Sequence, residues 1–264
     1  MKLLIELHKI WAFADRNLLV NRRNVFALFE MLFWPAIGIF SVGLLTRFLN
    51  LDQETVTFIL IGAVSMNTVQ IAQLDLSYAL LYDVWAKSVK HEFIAPIRLY
   101  HLLLGSGLVG LWRGLLVFVV MGLLSTWLFN MDLSRPGVSG LLHFLTGLFL
   151  NAAIVGILVL ILVLRFGHRA EVAAWAFSYF LLLVCGLYYP ITLLPVGIRE
   201  LAYAIPLTYF LDYFRHFYGF TLLFPHPLLY GYAQSLVYLL GSYLLLGATL
   251  RGALRRGTLL KLSE

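Results

Sequence analysis

The sequence predicts an all-α integral membrane protein with six transmembrane helices and both termini in the cytoplasm. Three observations carry that prediction. Of 264 residues, 61% are hydrophobic and only 12% charged, with a mean hydropathy of +0.90, whereas soluble chains are roughly a quarter charged. Six apolar stretches have spanning length, at about Phe26–Leu49, Thr57–Tyr82, Tyr100–Phe129, Val138–Phe166, Val172–Tyr189 and Leu228–Leu250. Finally, 14 of the 19 Lys and Arg residues fall on the N-terminal arm, on the second and fourth connections and on the tail, against Arg47, Arg135, Arg199 and Arg215 on the other side. Cytoplasmic loops carry that excess, so the net charge of +6 speaks for a membrane topology and against nucleic acid as a partner.

The elements follow in chain order. Lys2–Arg23 sets charges against Leu3, Leu7, Ile10, Trp11, Ala14 and Leu18 at helical spacing. That pattern predicts an amphipathic helix on the cytoplasmic surface within residues 1–25, its basic residues among lipid headgroups. The stretch lacks the short apolar core of a cleavable signal. A span needs about 20 apolar residues at 1.5 Å each, which five of the six stretches reach comfortably; the fifth is cut short by Pro190. The chain reads as a single transmembrane domain over residues 1–264, with no second domain, low-complexity tract or internal repeat. Cys185 is the lone cysteine, so no intrachain disulfide and no metal site are expected.

Residues 83–98, DVWAKSVKHEFIAPIR, form the largest cytoplasmic connection. Trp85, Val89 and Phe93 recur on one side of a short helix, with Lys87, Lys90 and His91 elsewhere, Pro96 closing it and Arg98 leading into the third span. Residues 185–219 are as apolar as a span yet hold Pro190, Pro195 and Pro206, each of which removes a backbone donor. A helix from Val172 should therefore stop near Tyr189. Beyond it Leu207, Phe210, Leu211, Phe214 and Phe217 share one helical face, and Asp212, Arg215 and His216 another. Residues 190–219 thus read as short re-entrant helices at the outer leaflet, or as a kinked helix with an interfacial loop.

Glu30, Asp75 and Arg113 lie inside spans, where a charge costs at least about 3 kcal/mol, so they face protein or water. Arg113 near mid-depth is expected to pair with Asp75 or Glu30, either to fix helix packing or to contact substrate. Tyr188, Tyr189, Tyr203, Tyr209, Tyr213 and Tyr218 cluster around the broken segment, as an interfacial belt or as the lining of a passage. Gly105-Ser106-Gly107-Leu108-Val109-Gly110 sits within a long apolar helix and marks close helix packing, not a dinucleotide site.

Gly186-Leu187-Tyr188-Tyr189-Pro190, followed by Leu193-Leu194-Pro195 and by Ile205-Pro206-Leu207-Thr208-Tyr209, resembles the segment before the last span in type-2 ATP-binding-cassette (ABC) exporter permeases. Ala95-Pro96-Ile97-Arg98, Glu30 before Leu32-Phe33-Trp34-Pro35, and Gly167-His168-Arg169-Ala170-Glu171 extend the likeness over nearly the whole chain. The resemblance implies that residues 83–98 are a coupling helix seated on an ATPase subunit, with Trp85, Lys87, Val89, Lys90, Phe93 and Arg98 as contacts. It implies that residues 190–219, including Tyr188, Tyr189, Pro190, Pro195, Pro206 and Tyr209, flank the pathway. It also implies two ATPase subunits carrying ATP and Mg, a second permease copy, and export across the cell membrane of lipid-linked glycan, lipid, peptide or drug.

The chain has no G-x-x-x-x-G-K-[ST] string, so ATP and Mg would belong to the partner, and no catalytic residue or cofactor is expected here. Seven scattered histidines form no cluster. Two other classes remain open at this stage: a membrane-embedded lipid-modifying enzyme, and an ATP-independent carrier or channel.

Overall fold

The structure is a computed structural model describing residues 2–23, 25–88 and 97–255, all of it helical or irregular, with no strand among the described residues. Among the described residues nine α-helices follow in order: α1 Lys2–Arg23, α2 Val25–Phe48, α3 Gln53–Trp85, α4 Leu99–Phe129, α5 Gly137–Phe166, α6 Glu171–Val184, α7 Val196–Tyr203, α8 Pro206–His216 and α9 Pro227–Arg255. Asp52 sets the start of α3, its carboxylate accepting from the Thr55 amide at 2.9 Å. That cap begins the helix four residues earlier than hydropathy suggested.

Helix α3 is the central element. It packs against α2, α4, α5 and α6, and Leu60, Ala63, Ser65, Thr68, Gln73, Ala79 and Leu81 on it are all fully buried. The outer helices instead present rows of bare hydrophobics, such as Leu229, Leu236, Leu240 and Leu244 on α9 and Leu104, Leu108 and Leu111 on α4. In water such rows would be an aggregation surface; in a bilayer they are the lipid face.

Among the described residues five stretches are long and apolar enough to cross a membrane, and the fourth, Gly137–Val184, holds both α5 and α6. Contacts give the direction of each. Gly110 and Gly114 of α4 meet Ala72 and Thr68 of α3, so those two run antiparallel. Phe118 and Gly114 of α4 meet Phe144 and Phe149 of α5 in reverse order, so α5 parallels α3. Trp175 lies by Tyr78 and Leu187 by Gly62, so α6 runs back against α3. The chain therefore reverses between α5 and α6, through a single 3-10 turn opened by Gly167 at φ +65°.

One end of the bundle collects α1, the end of α3, the start of α4, the α5–α6 turn and the end of α9; α7 and α8 cap the other. The end of α6 departs from the sequence reading. The helix stops at Val184, not near Tyr189, because Gly186 turns the chain at φ +68°; Pro190 forbids helix further on but does not choose the last residue. The expected loop helix over residues 83–98 also changes. Asp83–Trp85 are the last residues of α3, and Lys87 at φ +55° ends it. Val89, Lys90 and Phe93 lie outside the described residues.

Candidate functional site

Between α2 and α6, with α3 as its floor, lies a cavity of about 720 Å³. Met66, Gln70, Leu74, Tyr78 and Tyr82 line it from one face of α3 at four-residue spacing, so the lining runs about 24 Å along the helix. Glu30, Trp34 and Gly38 line it from α2 at the same spacing, and Trp175, Tyr179 and Leu182 from α6. Tyr188 closes the far end and Arg113 reaches in from α4.

The three charges expected at membrane depth all meet this cavity. Arg113 Nη1 donates to Asp75 Oδ1, and Arg113 Nε to the Met31 sulfur at 3.1 Å. Both side chains of the ion pair are largely buried, at 14% and 4% exposure. Glu30 is solvent-accessible from the cavity and has no hydrogen-bond or ion-pair partner among the described residues. Of the two carboxylates open to Arg113, the structure therefore pairs Asp75. The Trp175 indole N–H donates to the Tyr78 hydroxyl at 3.2 Å, and the Tyr78, Tyr82 and Trp85 rings pack edge to face at 5.6 to 5.9 Å. An unbroken aromatic run thus links the cavity to the end of α3.

At that end α1 is fastened at two points. Arg16 Nη1 contacts both oxygens of Asp83 at 3.1 and 3.0 Å, and its Nη2 donates to the Ala79 carbonyl. Ten residues earlier on α1, Lys9 and Tyr100 donate to Glu6, which also takes the Nε2 of fully buried His101 at 2.7 Å. His101 Nδ1 accepts from the Arg98 amide at 2.8 Å, so Nε2 carries the proton. These donors hold the Glu6 carboxyl down at about 2, with Tyr100 the largest contributor. None of these links was visible in the sequence, where the histidines read as scattered. Gly105 lets α4 approach α1, since a Cβ there would meet Phe13 and the Ile10 carbonyl.

The opposite end holds a third cluster. Arg215 was read as part of a polar face with Asp212 and His216, yet it is 6% exposed. Its guanidinium donates to the carbonyls of Gly186 at 2.8 Å, Leu187 at 2.7 Å and Phe58 at 3.2 Å, and lies 3.4 Å from the Phe58 ring centroid. Helix α8 is thereby pinned to the break after α6 and to the start of α3. Asp212, one turn before Arg215, accepts the amides of Leu223 and Phe224.

The tyrosine cluster divides. Tyr188 lines the cavity, whereas Tyr189 donates to the Leu183 carbonyl, Tyr209 to Tyr203 at 2.8 Å and Tyr218 to Asp132 at 2.8 Å. Pro190 precedes a 3-10 turn, Pro195 precedes α7 and Pro206 is the first residue of α8, each where its missing N–H leaves no gap. Trp85 is half-exposed at the end of α3, and Arg98 precedes α4 with extended backbone.

A groove lined by charges at membrane depth, on a bundle sheathed in apolar side chains, suits a solute path. Comparison with known proteins decides the family: the model of the ABC-2 type transporter family matches residues 8–218. The chain belongs to that family. A 50-residue segment, 19% of the chain, is also 52% identical to an uncharacterized protein of Archaeoglobus fulgidus, covering 78% of that protein. As an ABC-2 type transporter the chain is a multi-pass membrane protein and a permease component of a transport system. The ABC-2 match runs from within α1 to just past the end of α8, and so contains the cavity, the Arg16–Asp83 link and the Arg215 anchor.

Proposed function

We propose that this ABC-2 permease is the membrane half of an ATP-driven exporter, two copies of it joining two separate ATPase subunits that bind ATP and Mg. The observation that carries this reading is the cavity along α3, a charged and aromatic groove running about 24 Å along that helix in a chain of a transporter family. In this reading α2, α3, α4, α5, α6 and α9 are six passes, with both termini cytoplasmic and α7 and α8 re-entrant at the outer face. The reversal between α5 and α6 supports six passes, and the clustering of Lys and Arg at the α1 end supports the orientation.

The coupling role of residues 83–98 rests on the two fastenings of α1. A push on that loop would move Asp83, and through Arg16 would carry α1 with the end of α3. Rigid linkage of this kind lets ATPase closure reach the groove without local yielding. Opening of the outer end would then shift α7 and α8 against the Arg215 anchor.

The test is copurification of the tagged chain with the ATPase encoded beside it, in the cell membrane fraction, with ATP hydrolysis measured for wild type and for Trp85→Ala with Phe93→Ala. A stable complex whose hydrolysis no longer responds to the permease in the double variant supports the reading. A well-folded chain that binds no ATPase refutes it and favours the enzyme or carrier classes.

A further inference from the structure

The cavity has a sign of charge and a kind of wall, and together they select a ligand. Arg113 is committed to Asp75 and to the Met31 sulfur, which leaves Glu30 as one uncompensated negative charge among the described residues of the cavity. Among the described residues, neither Lys nor His lines the cavity. Glu30 and Trp34 stand one helical turn apart on α2, so an atom held at the carboxylate lies within reach of the indole face. Trp34, Trp175 and Tyr179 keep 61%, 40% and 60% of their surface free, and Tyr78 fixes the Trp175 indole through its hydroxyl.

A carboxylate among free aromatic faces in a low-dielectric setting attracts a cation twice, by Coulomb attraction and by the ring quadrupoles. An anion would meet an unpaired carboxylate and no free cation. A neutral glycan could stack on the rings but would leave the Glu30 charge without a counter-charge at membrane depth, which is costly. We propose that the cavity binds amphipathic organic monocations, the cationic centre beside Glu30 and the apolar body against Trp34, Trp175 and Tyr188. This inference rests on the reading of the cavity as the transport path.

The experiment uses the full chain in phosphatidylcholine nanodiscs, without ATPase or nucleotide, with empty nanodiscs subtracted. Tetraphenylphosphonium and tetraphenylborate, nearly equal in shape and opposite in charge, are the probes. Wild type should bind the phosphonium at least about tenfold more tightly than the borate. Glu30→Gln should lose about tenfold in phosphonium affinity and leave the borate unchanged, and Trp34→Leu should lose several-fold. Glu30 has no partner to lose among the described residues, and the wild-type comparison needs no variant, so folding does not decide the outcome. Equal affinity for the two ions, insensitivity to Glu30→Gln, or displacement of phosphonium by maltoheptaose at lower concentration than by a second cation would overturn the assignment. A complex that couples to its ATPase while its permease prefers borate refutes the cation class and spares the exporter. A permease that prefers phosphonium but binds no ATPase keeps the site and refutes the exporter.

Discussion

Arg215→Leu is the substitution whose cost the geometry determines most directly. The guanidinium donates three hydrogen bonds to main-chain carbonyls, two of them at Gly186 and Leu187, beyond the last turn of α6. Those two have no helical N–H to return to. Leucine would fill part of the volume but leave both carbonyls buried and unpaired, at about 1–3 kcal/mol each, and would forfeit a cation–ring contact worth about 1 kcal/mol. Against this stands the relief of removing a buried cation whose hydrogen bonds among the described residues all go to carbonyls. The net loss should be about 4 kcal/mol, a fall of about 10 °C in the thermal midpoint at about 2–4 °C per kcal/mol for a chain of this size. Arg215→Lys, which keeps the charge but not the planar fork, should fall between. The assay is the fraction of detergent-solubilised protein that stays monodisperse after heating. A Leu variant within about 2 °C of wild type would mean that burying the cation costs as much as its three bonds return, and the anchor role would fail.

Two further outcomes are expected. Arg113→Ala should destabilise by about 3–5 kcal/mol by removing the ion-pair partner of the buried Asp75 carboxylate, and Arg113→Ala with Asp75→Ala should recover much of that; equal instability of the single and double variants in the same heating assay would remove the pair. Glu6 titrates at about 2 when folded, below its ordinary carboxyl value, so its contribution is full above that ordinary value and is lost as pH falls through about 2. Hydrogen exchange in α1 should therefore rise on acidification through that window, and Glu6→Gln should raise it at neutral pH; a flat pH profile in the wild type would refute the Glu6 attachment.

Much of the architecture was legible in the chain because lipid leaves few options. Backbone groups must be paired within each crossing segment, so apolar length maps onto helix, and α2, α4 and α5 begin and end within a residue or so of the expected stretches. Pro195 and Pro206, read from the sequence as breaks, lie where two short helices begin, because there a missing N–H leaves no gap. Glu30, Asp75 and Arg113 were legible for the complementary reason, that charges in apolar runs are too costly to be incidental.

Tertiary structure alone decided the rest. Arg215 shares a helical face with polar neighbours, and nothing in its own helix says that Phe58 and Gly186 will close over it. His101 reads as an isolated interfacial histidine until α1 brings Glu6 to it across 95 positions, and Arg16 meets Asp83 across 67. The end of α6 fell to the left-handed backbone of Gly186, a conformation any glycine can adopt but need not. Composition and spacing determined which segments are helical and which charges must find partners, since those depend on the solvent around each residue. Which partners they find, and which carboxylate is left facing the groove, depends on how the helices pack, because a side chain's neighbours are supplied by other elements and not by its own.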